Sequence, residues 1–518
     1  MMLGPISLLG FPLILWIVQS LRTRHYDPRE PIVVTSRIPV MGHVIGFFTQ
    51  GLEYLTQISL ESGCPIFTLD MLLSKVYVVT SPRLVPAVRQ SHRTMSFEPL
   101  FLRVEECVSG ITGPGLDLLL GSGSKNPGLS HHTAQAMRPG LLGNGLDQIN
   151  AKMVNVLASN VEDIALQKAV PSDLFAWCRY TMTVAATAAV YGEGNPYESA
   201  NFREAFWSAK PTTMDVESNV IPLLLGIAPS LVGRTGRKAR EYMTQRLIRY
   251  YEEGGHLRSS MLTYDRWKTQ IDAGASVEDI ARHEIPTGIG ILSNTVPTCF
   301  WAIFDIYSRP ALLSEIRKEL VQYVVKATPN KPCITIDLAD IRNKCPLLLS
   351  SYQETLRVRS RSAQIRVIQE DTLLDDCYLL KAGSILVVPS AVINRSKSVW
   401  GEDADQSNPR RFIEDEQDYK QKARGFLSFG MAPHLCMGRY FATGEILGLT
   451  ALLRLRFDLS PVLGSWVEPR KKKSAVLAST GVPSEPFNVI LNERKDFQGL
   501  EWIFHATPGK AKHGLVSG

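Results

Sequence analysis

No two of the eight cysteines in this chain form a Cys-x-x-Cys pair, and their spacing follows no regular pattern. That excludes a disulfide framework and a zinc site, and leaves reduced, mostly buried thiols in a chain whose bulk faces the cytosol. An excess of charge is also missing: +6 over 518 residues is mild. It argues against a dedicated nucleic-acid binder, which concentrates basic residues on one face. There is no internal repeat and no low-complexity segment. The length is ample for a large core, in one big domain or two to three smaller ones. Residues 1–21 carry no charge at all, and they lack the basic start and small-residue cleavage site of a signal peptide. The span reaches the ~20 residues that cross a bilayer, although Pro5 and Pro12 weaken it. Arg22 and Arg24 follow and place that side in the cytosol. The segment therefore reads as an uncleaved N-terminal anchor.

The rest is present in ordinary proportion and patterned. Residues 22–45 form a basic, proline-rich hinge, with His25–His43 reading as a stiff linker rather than helix. Pro65–Pro82 alternates as a hairpin. From about Leu142 to Val325 the apolar spacing is mostly helical. Sheet-like stretches return at Gln364–Ser390, with a further hairpin near Lys473–Asn492. The fold class is mainly α with small β-sheets near both ends. Residues 46–496 form the main folded domain, and 497–518 read as a loose tail. Asn219–Arg240 joins an apolar, proline-broken run to a basic cluster. It is either a buried loop between helices or a second membrane contact.

Chemistry concentrates around Cys436. The stretch Gly438–Leu455 is apolar nearly all round and reads as a buried helix. Cys436 then sits at its N-terminus, where unpaired N–H groups and the helix dipole favour a thiolate. Gly430 and Gly438 would let backbone approach something flat and large. A thiolate with close backbone donors is one way to hold haem iron; a buried structural cysteine is the other reading.

The constellation resembles the haem-binding loop of the cytochrome P-450 family, with Phe429, Gly430, Ala432, His434, Cys436 and Gly438 on its pattern. Ala432 stands where Gly is usual and His434 where Arg is usual. Ala432 fits if its φ is negative, and the charge of His434 depends on pH. Glu354 and Arg357, three apart on a helix, resemble the family's Glu-x-x-Arg pair. Pro409, Arg411 and Phe412 resemble its Pro-x-Arg-Phe segment, whose arginine closes a triad with that pair. Arg366 falls where a propionate-binding arginine often stands. Arg138 takes the arginine place of a Trp-x-x-x-Arg motif, with Ala134 in place of Trp. His131 and His132 either compensate or serve at the surface.

In Ile285–Pro310, expected to be the long helix over the haem, the Ala/Gly-Gly-x-acid-Thr pattern reads Ile291, Leu292, Ser293, Asn294, Thr295. Threonine is present, and Asn294 replaces the acid. Pro297 removes a donor and should kink the helix or open its ladder. The run from Asn294 to Trp301 is similar to the branch holding sterol and bile-acid hydroxylases, prostacyclin synthase and many fungal secondary-metabolism members.

The resemblance covers roughly residues 30–495. It implies a cytochrome P-450 fold behind an N-terminal transmembrane helix, single-pass in the endoplasmic reticulum membrane with the catalytic domain cytosolic. It implies haem b with Cys436 as the axial ligand and metal-binding residue. Phe429, Gly430, His434, Gly438, Arg366 and Arg138 would stand around the cofactor, Thr295 and Asn294 on the oxygen side, and Glu354, Arg357 and Arg411 as structure. The partner would be an NADPH-cytochrome reductase, with cytochrome b5 as a further candidate donor, and the substrate an apolar terpenoid, sterol or polyketide. A reductase-independent isomerase or dehydratase of a peroxide is the alternative on the same scaffold, and a non-catalytic haem binder a second. The substrate lining is expected from Phe97–Val108, Ile289–Phe300, Arg359–Ile365 and Ala478–Val482.

Overall fold

A computed structural model describes residues 26–509, apart from 37, 39, 40, 72–74, 122–127, 167–169, 208–233, 328–331, 414–421 and 473–478, together with Leu515. The expected anchor at 1–21 and most of the apolar run at 219–240 lie outside the described residues.

Helices dominate, as the apolar spacing predicts. One large core takes side chains from helices between Gly143 and Arg456. The elements that matter for the site are α1 (Leu129–Ala136), α2 (Leu174–Tyr191), α3 (Met261–Asp272), α4 (Val277–Leu292), α5 (Thr295–Tyr307), α6 (Pro346–Arg359) and α7 (Arg439–Arg456). Local chemistry sets their ends. Ser276 caps α4 by accepting from the Asp279 N–H at 3.1 Å, with Glu278 and Asp279 against the positive end of the dipole. Asp173 caps α2 in the same way through the Phe175 N–H.

The expected long helix over the cavity is instead two helices, α4 and α5, parted at Ser293–Asn294. Pro297 has no N–H for the carbonyl of Ser293, so the ladder opens one turn before it. By length and composition Val277–Tyr307 is apolar enough to cross a membrane, but 72% of its most apolar window is buried inside the protein. It is therefore the central element of the core.

The six-stranded sheet contains β1 (Val33–Val34), β2 (Ile66–Asp70), β3 (Lys75–Val79), β4 (Met95–Ser96), β5 (Ala363–Ile368) and β6 (Ile385–Pro389). Its order is β1-β2-β3-β6-β5-β4. The predicted hairpin is β2–β3, antiparallel from Ile66 opposite Val79 to Asp70 opposite Lys75. Both faces of the sheet pack against apolar clusters.

Three expectations are corrected. The proline-rich segment is docked: β1 pairs with β2, and buried Glu30 bonds Lys75 and Tyr77. The tail is not loose throughout, since Glu501–His505 pairs in parallel with Cys333–Asp337. Near the C-terminus the expected hairpin holds only in its first part, where Arg470–Lys472 bonds antiparallel to Val482–Ser484; Asn488–Glu493 pairs instead with Phe457–Pro461. In each case a strand partner distant in sequence satisfies the backbone, which local pattern does not reveal.

Candidate active site

The Cys436 loop is shaped by its backbone. Gly430 pairs with Leu435 and Met431 with His434 in a two-residue antiparallel ladder, and the Cys436 N–H donates to the Phe429 carbonyl at 2.8 Å. Gly430 has φ +92°, and a Cβ there would sit 2.9 Å from the His434 carbonyl. Both facts require glycine. Ala432 is not among the residues with positive φ, so the alanine in place of glycine is unstrained. Gly438 caps α7 at φ −80°, and a Cβ there would meet no protein atom within 4 Å. Its small size answers to no neighbour in the protein.

Cys436 opens onto a cavity of about 600 Å³, and Phe429, Gly430, His434 and Gly438 line it too. Burial pushes the Cys436 thiol up, and the N–H groups of Gly438 and Arg439 and the Arg439 charge only partly oppose it. The helix terminus therefore only partly offsets burial, and a coordinated metal cation would favour the thiolate.

Arg366 on β5 lines the same cavity and is buried. Its guanidinium donates only to the carbonyls of Ile365 and Met431, at 2.8 and 3.4 Å, and meets no carboxylate among the described residues. Burial lowers its pKa to about 10. His434 is lowered to about 4 by burial and then by the charges of Arg366, His131 and His92. A cavity edge carrying unbalanced positive charge suits an anionic group. Arg138, by contrast, is exposed at the start of a short helix, Arg138–Leu141, and does not line the cavity; Ala134, Thr133 and Met137 do.

Across the cavity, α4 and α5 contribute Thr287, Gly290, Ile291, Asn294, Thr295 and Thr298. These positions share one helical face. Asn294 accepts the Ser479 N–H on its Oδ1 at 2.7 Å, tying the 479 loop to the break in the helix. Thr295 donates to the Ile291 carbonyl at 2.8 Å. Thr298, which the pattern did not single out, donates to the Asn294 carbonyl and shares a 3.0 Å bond with Thr480.

Glu354, Arg357 and Arg411 come together as the resemblance implied, but outside the cavity lining. Arg357 grips Glu354 with two bonds of 2.7 and 2.8 Å, and Arg411 reaches Glu354 at 3.3 Å and Asp403 at 2.8 Å. Arg357 also donates to the Asn394 carbonyl at 2.7 Å, and the Asn394 amide holds the Leu427 N–H and the Ser428 hydroxyl. The triad thus fixes the backbone entering the Cys436 loop.

The cavity also contains Glu105, which falls in the expected Phe97–Val108 lining but was not singled out, and two residues the sequence reading missed, Arg266 and His283. Their signal was faint, since each belongs to an ordinary amphipathic pattern.

The residues present fit a large, flat, dianionic metal macrocycle. Cys436 would supply a ligand, Gly438 and Gly290 leave open space where a Cβ would project, and Arg366 and His434 line the same cavity to meet an acidic group. Comparison with known proteins agrees. The family model described as Cytochrome P450 matches residues 33–490. The chain is 40% identical to "Cytochrome P450 monooxygenase nodJ" of Hypoxylon pulicicidum, over 95% of each chain. It is 26% identical to a "Cytochrome P450 monooxygenase" of Gibberella zeae over 92% of each. It is 23% identical to "Cytochrome P450 7B1" of Mus musculus, over 88% of this chain and 90% of that one.

Proposed function

Because this chain belongs to the cytochrome P450 family of haem-thiolate enzymes, we propose that it is a monooxygenase that takes electrons from NADPH through a reductase and inserts one oxygen atom from dioxygen into an apolar terpenoid, sterol or polyketide in fungal secondary metabolism. The observation that carries this reading is the largely apolar cavity with Cys436 in one wall and Thr295 and Asn294 in another. The relatives named as fungal monooxygenases support it.

When bound, the haem supplies the iron at which dioxygen is activated. Cys436 would hold the metal through sulfur. Arg366 would pair with a carboxylate of the macrocycle, and His434, neutral above about pH 4, would donate a hydrogen bond to one. Phe429, packed against Phe426 with ring centroids 6.2 Å apart, excludes water from the sulfur side. Thr295 keeps its hydroxyl hydrogen on Ile291, so its oxygen is free to accept from an ordered water. Asn294 orients the 479 loop and cannot release a proton at neutral pH. Protons must then arrive through water held by Thr295 and Thr298.

That asparagine favours a second reading, a peroxide isomerase or dehydratase that needs no proton delivery and no reductase. We place the catalytic domain on the cytosolic side of the endoplasmic reticulum membrane behind the 1–21 anchor, served by NADPH-cytochrome reductase with cytochrome b5 as a further donor. The uncharged N-terminus with Arg22 and Arg24 after it supports this.

The test is an absorption spectrum under carbon monoxide without oxygen, with NADPH and reductase added first and dithionite second. A strongly red-shifted Soret band with NADPH supports the monooxygenase. A shift with dithionite alone favours the isomerase. Cys436→Ser removes the shifted band and all activity; a variant that keeps both overturns the assignment of the ligand.

A further inference from the structure

The cavity wall changes character at the N-terminal half of α4. His283 lies about 10 Å of helix before Gly290 and about 16 Å before Asn294, at 1.5 Å per residue. It is 6% exposed, and Glu105 beside it is fully buried. Both line the cavity. The His283 Nδ1 lies 3.3 Å from the Glu105 Oε1, yet among the described residues neither atom makes a well-formed hydrogen bond. The other carboxylate oxygen of Glu105 is taken by the Ser109 hydroxyl at 2.6 Å. Thr133, from α1 on the same cavity, also has a buried hydroxyl with no partner among the described residues. Polar groups this deep are normally satisfied, and leaving them unpaired is costly.

A neighbouring pair shows what satisfaction looks like. Arg266 on α3 binds both oxygens of Glu284 at 2.7 and 2.9 Å, and Tyr191 donates to Glu284 at 2.8 Å. That unit is neutral and closed. It backs the open pair, whose own charges also cancel when the imidazole is protonated. Burial pulls the His283 pKa down, but the Glu105 carboxylate and, further off, Glu284 outweigh it, and the net shift is upward.

We propose that Glu105 and His283 recognise a hydroxyl group on the substrate, at the end of the cavity remote from Thr295. This rests on the proposed function for the identity of the site and names the substrate class: an elongated apolar alcohol. A hydroxyl is the group that both donates and accepts. It donates to the Glu105 Oε1 and accepts from the His283 ring, with Thr133 as a third partner. A carboxylate is disfavoured, because it would place a second negative charge beside Glu105. A hydrocarbon leaves all three groups unpaired. The rest of the molecule, bound by the apolar wall, is directed toward Cys436.

The experiment is equilibrium binding to the haem-loaded protein, followed by dialysis and by the haem absorbance. The probes are matched sets on several skeletons, beginning with 5α-androstane, 5α-androstan-3β-ol and 5α-androstan-3-one, and a diterpene hydrocarbon with its alcohol and acid. Alcohols should bind at least about tenfold more tightly than their parent hydrocarbons, with acids weakest. Glu105→Gln and His283→Phe should each erase most of the preference, alcohols losing affinity relative to hydrocarbons, while the carbon monoxide spectrum still shows the haem in place. Alcohols that bind no better than hydrocarbons, a panel with no binding at all, or a preference that survives both variants overturns the proposal. Alcohol preference in a protein that fails the NADPH test would instead overturn the monooxygenase reading and leave this one standing.

Discussion

Two buried sets of charges differ in one respect that separates scaffold from site. Around Arg357 the guanidinium binds Glu354 twice and also meets the carbonyls of Asn394, Ala404 and Gln406. Trp400 lies against its face at 5.2 Å. Around His283 the nearest carboxylate oxygen is within ion-pair reach but out of line. A closed network has nothing left to bind with, so its product is shape. An open one, lining a cavity, retains donors and acceptors for something else.

The largest break in that contrast comes from the closed side. Arg357→Ala leaves the buried Glu354 with only the longer Arg411 contact as a charged partner and removes the donor to three carbonyls, and should cost about 3–5 kcal/mol. The apoprotein Tm should fall sharply and haem uptake should be lost. A Tm drop no larger than that of His283→Phe would erase the distinction.

Glycine offers a second contrast of the same kind. Gly430→Ala should destabilise the apoprotein by about 1–3 kcal/mol, since the φ and the 2.9 Å approach to the His434 carbonyl both resist a side chain. Gly438→Ala should leave the apoprotein Tm unchanged and weaken haem binding, because the added methyl meets only the cavity. Calorimetry with and without haem separates the two.

A smaller effect is expected at Asn294→Asp. A carboxylate can still accept the Ser479 N–H, so the loop stays in place. The acid restores a proton source, and the fraction of NADPH converted to product should stay level or rise. Complete loss of product with haem retained would mean that Asn294 contacts substrate.

The smallest effect is a pH dependence of the open pair. The folded pKa of His283 lies above its ordinary value of 6.5, burial being outweighed by Glu105 and Glu284 against the opposing charge of Arg266. The stability it contributes is therefore complete below about pH 6.5 and is lost as pH rises through the folded value. The Tm difference between the native chain and His283→Phe, followed from pH 5.5 to 9, should shrink with rising pH. A difference that grows would reverse the sign of the argument.

Local chemistry carried much of this molecule. The Phe429–Gly438 stretch, the three-residue spacing of Glu354 and Arg357, and Pro297 each act within a turn or two of chain. The loop, the ion pair and the break at Ser293–Asn294 are therefore legible in the sequence. The Phe97–Val108 and Arg359–Ile365 segments were expected at the cavity, and Phe97, Phe101, Ala363 and Gln364 do line it. Arg138 misled because a motif position fixes place along a helix, not the face that the rest of the protein covers. The tail strand at Glu501–His505 and the docked hinge were hidden because their partners lie far away in sequence. The pairing of Glu105 with His283 was hidden for the same reason, the two being 178 positions apart. The sequence by itself determined the Cys436 loop, because that depends on backbone conformation and spacing within one segment. Only the tertiary structure decided which polar groups are closed and which are open, because that depends on what burial brings within 3 Å.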